Sequence, residues 1–78
     1  MKKPQKISLI VSGEYADLII PELSYQIWNK YRIRTRIEDN NFIDDVTKSI
    51  DIKFIGTNDT ASKIENAIRT EYQLLEEF

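Results

Sequence analysis

"SIDIKFIGTNDTASKIENAIRTEY", Ser49–Tyr72, changes its hydrophobic period halfway along. From Ser49 to Ile55 it alternates, with Ile50, Ile52 and Phe54 opposing Asp51, Lys53 and Ile55. That is the signature of a half-buried strand. Gly56 ends the run, and Asn58, Asp59 and Thr60 are each fit to cap a helix. Beyond them Ala61, Ile64, Ile68, Tyr72 and Leu75 recur at spacings of three and four. They predict a helix whose apolar stripe is widened by Ala67, Leu74 and Phe78 and which runs to Phe78.

Working upstream, Arg32–Glu38 ("RIRTRIE") alternates strictly, so a second strand is expected there. Ile33, Thr35 and Ile37 would face inward, with Arg32, Arg34 and Arg36 outward. Asp39–Asp45, dense in Asn and Asp, reads as a loop, with Phe42 and Ile43 tucked under the sheet edge. Glu14–Tyr31 carries Ala16, Ile20, Leu23, Ile27 and Tyr31 as a helical stripe. Pro21 interrupts it, so the helix either begins near Pro21 or is distorted there. Ile7–Val11 alternates as a first strand, and Ser12-Gly13 stops it.

The order is β-α-β-β-α. The expected class is α+β: a two-layer domain over residues 1–78, a three-stranded mixed sheet with both helices packed on one face. The first two strands would be parallel, joined by a right-handed crossover, with the second and third an antiparallel pair.

Composition narrows the chemistry. The chain has 78 residues, no cysteine and no histidine. Thiolate chemistry, disulfides and imidazole catalysis are therefore excluded. A domain of this size buries only ~60–65% of its unfolded surface. No apolar run approaches the ~18 residues of a membrane span. The basic start has too short an apolar segment behind it for a signal peptide, so a cytoplasmic location is expected. Ser and Thr hydroxyls lack an activating base, and no pocket is anticipated in so small a core, so no enzyme activity and no cofactor are expected. The acids of "EDNNFIDD" do not have calcium-loop spacing, so no metal is expected.

Two surfaces draw attention. Arg32, Arg34 and Arg36, joined by Lys6 and Lys53, would make a basic sheet face able to track phosphates. No aromatics accompany them, so the plainer expectation is a solvated face offset by Asp51 and Glu38. The second surface is the end of the last helix. Glu76, Glu77 and the terminal carboxylate would sit where the helix dipole prefers cations, at a cost of about 0.3–1 kcal/mol. Glu65 and Arg69 form an ordinary i,i+4 pair, and Glu71 falls inside the apolar arc.

The pattern resembles the DinI family of small SOS-response proteins, which has phage and plasmid members. "PELSYQI" (Pro21–Ile27), "FIG" (Phe54–Gly56) and "KIENAIRTEYQLLEEF" (Lys63–Phe78) carry the resemblance, with Ile64, Tyr72, Glu76, Glu77 and Phe78 in the family's places. The resemblance implies a non-enzymatic protein that binds RecA recombinase filaments during the DNA-damage response. Its acidic last helix would imitate single-stranded DNA. On that basis Glu76 and Glu77 would be central and Glu65 and Glu71 supporting, with Tyr72 and Phe78 as apolar anchors. Asn66, Thr70, Gln73 and Arg69 depart from the family's denser acidic ridge. Two alternatives stand beside this one: a nucleic-acid module built on Arg32, Arg34 and Arg36, and a phage or plasmid inhibitor of another host protein.

Overall fold

A computed structural model of the chain describes residues 1–42 and 44–72. It has β1 (Lys3–Ser12), α1 (Gly13–Tyr31), β2 (Arg36–Phe42), β3 (Thr47–Gly56) and α2 (Asn58–Glu71), in the expected order. The sheet differs from expectation. It is antiparallel throughout, in the order β1-β3-β2. β1 and β2 do run the same way, but β3 lies between them and hydrogen-bonds to both. The central place suits β3, whose Ile50, Ile52 and Phe54 are all buried.

Alternation puts Ile7, Leu9 and Val11 of β1 on the same side as those three residues. They form one cluster with Ala16, Ile19, Leu23 and Ile27 of α1 and Ile64 and Ile68 of α2. Both helices therefore cover one face, and among the described residues no element covers the other, open face. Ile19, rather than the expected Ile20, holds the buried place in the α1 stripe, and Ile20 packs at its margin.

α1 begins at Gly13, ahead of Pro21. Ser12 caps it, its Oγ accepting from the Tyr15 amide at 3.2 Å. Pro21 is thus a true helix-interior proline on the exposed side. At the far end Arg32 adopts the left-handed conformation (φ 57°, ψ 37°), and its amide donates to the Trp28 carbonyl at 2.8 Å. Glycine usually fills this position, and a residue with a Cβ costs about 1–2 kcal/mol there.

Because Arg32 caps the helix, the expected strand at Arg32–Glu38 is strand only from Arg36 onward. Residues 32–35 are a connection. Their alternation was real, since Ile33 and Ile37 pack against the core while the arginines are exposed, but it belongs to burial and not to pairing. Conversely, Asp39–Phe42, expected in a loop, extends β2 through a bulge between Asp39 and Phe42. Its polar residues suit the open face, where Asn40 donates to Asp51 at 3.1 Å. Phe42 is exposed, close to Gly13 and under the Lys48 ammonium, and is not tucked away. Asp44 accepts from the Val46 and Thr47 amides at 2.9 Å each and shapes the turn into β3.

The cap of α2 is Thr57, one residue ahead of the expected candidates, with its Oγ1 accepting from the Thr60 amide at 3.1 Å. α2 stops at Glu71, because Tyr72 is extended (φ −115°, ψ 150°). The helix expected to run on to Phe78 is thus interrupted at Tyr72, and residues 73–78 lie outside the described residues. Arg69 occupies the last turn, the sign the dipole favours.

Candidate functional site

The acidic side of α2 is largely neutralised within the fold. Arg69 Nη2 lies 2.8 Å from Glu65 Oε2, one turn away on the same helix. Glu71 was expected within the apolar arc. It is instead exposed and reaches across to α1, where Lys30 Nζ is 3.0 Å from its Oε1. The hydrogen bond that Lys30 donates to Glu71, and then the charge of Glu71, hold the Lys30 ammonium pKa above the ordinary lysine value. Asp59 is 3.5 Å from Lys63. Tyr72, expected as an apolar anchor or, more plainly, as a core residue, is half-buried against the core. Burial first, then the charges of Glu22 and Glu71, push its phenol up to about 12. Glu76, Glu77 and Phe78 lie outside the described residues.

The basic residues are arranged differently from expectation. Arg32, Arg34 and Arg36 do not share a strand face, since only Arg36 is in β2. What the fold builds is a row across three strands. Lys6 of β1 stands opposite Lys53 of β3, and Lys53 opposite Arg36 of β2. These residues are exposed, and the row lies on the open face. Glu38 serves two of the three, at 2.7 Å from Lys53 and 3.7 Å from Arg36. Asp51, expected to offset the arginines, takes its hydrogen bonds from Asn40 and Ser8, which lower its pKa.

The Lys53 ammonium, by hydrogen bond and by charge, holds the Glu38 carboxyl below its usual range. A carboxyl whose pKa is depressed on folding contributes stability above its unfolded pKa, and that contribution is lost as pH falls through its folded one. Carboxyl-detected NMR titration should therefore show Glu38 protonating below the ordinary glutamate value of about 4.3. In Lys53→Met its midpoint should rise. An unmoved midpoint would mean that Lys53 is not its partner in solution.

Beside the row, Arg34 lines a shallow groove shared with Lys6, Arg36, Lys53 and Ile55. Its guanidinium carbon is also 5.4 Å from the centroid of the Trp28 ring, and that of Arg32 is 5.5 Å from it. Trp28 is 39% exposed. Sequence reasoning passed over Trp28, although Trp28 and Arg32 stand four residues apart, the spacing that puts two side chains on one helix face.

Among the described residues no helix is long and apolar enough to cross a membrane, and no group of acids gathers to hold a metal ion. No protein-family model, curated protein or solved structure matches this chain.

Proposed function

We propose that this chain is a non-enzymatic, protein-binding domain of the DinI type, which engages RecA-type recombinase filaments and tunes the SOS response through α2 and the residues that follow it. The observation that carries the reading is the placement of α2. Its Ile64 and Ile68 are sealed in the core, and Asn66, Thr70 and Glu71 face solvent, with Glu65 half-exposed beside them. β3 ends at Gly56 and α2 begins at Asn58, so the helix follows the central strand directly. The ion pairs of Glu65 and Glu71 leave the described helix close to neutral. The recognition charge therefore rests on Glu76 and Glu77, and Glu65 and Glu71 contribute only if their internal pairs open on docking.

The test is fluorescence anisotropy of the labelled chain titrated with RecA filaments assembled on single-stranded DNA. Binding should weaken with salt, and the double variant Glu76→Lys/Glu77→Lys should lose about 10-fold or more in affinity, the usual scale for close interfacial charges. Undiminished affinity in that variant would remove the acidic site. Absence of binding to the filament would remove the reading itself.

A further inference from the structure

Charge is sorted along the sheet. The start of β1, the end of β3 and the start of β2 lie at one end, because β3 runs against both neighbours. Lys6, Lys53, Arg32, Arg34 and Arg36 collect there, with Lys2 and Lys3 leading into β1. These are seven of the chain's eleven cationic side chains, in a molecule whose net charge is −2. The opposite end holds Glu14 and Asp17 at the start of α1, and Asp44 and Asp45 in the turn before β3.

Three features of the basic end go beyond ordinary surface charge. Like charges directly opposite one another across a sheet are destabilising. The Lys6–Lys53–Arg36 row nevertheless sets three side by side, with Glu38 the one carboxylate at ion-pair distance among the described residues and Asp51 near enough to feel Lys6 and Lys53. Arg32 holds a left-handed backbone despite its Cβ, and such positions persist where the surroundings over-determine them. Here the geometry returns Arg32 to the Trp28 ring. Finally, Arg34 belongs both to the aromatic cluster and to the groove beside the row.

From these we infer that the basic end is a single-stranded nucleic-acid site, in which phosphates lie along Lys6, Lys53 and Arg36 and a base stacks on the Trp28–Arg34 cluster. Within the row, Lys53 and Arg36 share the one carboxylate of Glu38, which leaves the row with net positive charge for a phosphate. Lys6, and Arg32 and Arg34 beside it, have no carboxylate within ion-pair distance among the described residues. Sequence-tolerant binding of single strands joins a basic groove to an exposed aromatic face. An acidic protein segment would use the row but has no use for the ring. The inference stands whether or not α2 meets a recombinase.

Trp28 is the chain's sole tryptophan, so emission excited at the red edge, where the four tyrosines do not absorb, reports on this site alone. The experiment titrates the full chain, at low salt, with an oligothymidylate of ~15 nucleotides, within the span single-strand sites cover. Polyglutamate at equal charge concentration is the comparator. The oligonucleotide should quench Trp28. The log–log salt slope should be about −2, as three neutralised phosphates at roughly 0.7 each require. Lys6→Glu, at an exposed position of the row, should weaken binding by about 10-fold and flatten the slope by about 0.7 or more. Arg34→Glu, exposed in the stacking cluster, should weaken binding by about 10-fold and reduce the quenching of Trp28. Circular dichroism checks that the variants fold. Equal quenching by polyglutamate would assign the end to an acidic protein and overturn the inference. So would the absence of a fluorescence change at low salt, or unchanged binding in both variants.

Discussion

Ile52→Ala should cost about 3 kcal/mol of folding free energy, inside the roughly 2–5 kcal/mol range for large-to-alanine changes in cores. Ile52 is fully buried at the middle of the central strand. It stands opposite Ile7 on one side and Ile37 on the other. Truncating it opens a void bounded by two strands and the helix layer, and β3 cannot move to close the void without losing both ladders. A domain of this length has a total stability of about 4–12 kcal/mol. Loss of the three outer carbons of one side chain at this position is therefore a large part of the whole. In urea, with a slope near 1 kcal/mol per molar for so small a protein, the midpoint should fall by about 3 M. A loss below about 1 kcal/mol would show that the cluster closes over the gap, and that Ile52 is not the keystone its register implies.

The second large effect has the opposite sign. Pro21→Ala should stabilise the chain by about 2 kcal/mol. Proline in a helix interior costs about 3 kcal/mol, because it lacks the N–H for the carbonyl four residues back and its ring crowds that carbonyl. Here the carbonyl belongs to Asp17. Part of the gain is offset, since proline also restricts the unfolded chain, by about 0.4–1 kcal/mol. Nothing is lost in packing, as Pro21 is exposed while its neighbours Ile19 and Leu23 carry the buried stripe. The midpoint in urea should rise by about 2 M at unchanged slope. A fall in midpoint would mean that the course of α1 over the sheet depends on the proline.

Element types and their order were legible because each segment keeps one period of burial. The neighbour relations of the strands were not. Whether β3 joins the outside of a sheet or enters its middle depends on pairing energies between residues some fifty positions apart, such as Lys3 and Gly56, and no local pattern carries these. The Arg32–Thr35 segment misled for a different reason. A connection pressed against the core alternates in burial as a strand does, and the left-handed cap at Arg32 leaves no mark in a sequence without glycine there. The basic site was half legible. Lys6, Lys53 and Arg36 were named together, but Trp28 was read only as part of a helix. The halt of α2 at Glu71 was hidden by an apolar stripe that continues on paper through Leu75.

The pairing of β1 with β3 also sets an order of events during synthesis. β2 and β3 are joined by a short turn and can pair as soon as both have emerged. β1 is made first, yet its partner residues are 47–56. At ~5–20 residues per second, Ile7, Leu9 and Val11 wait several seconds without a strand to lie against. Their ladder then closes a long loop, the kind of contact that slows folding most. The first strand to be made is thus the last of the three to be paired, and the hairpin that follows it is the template on which it docks.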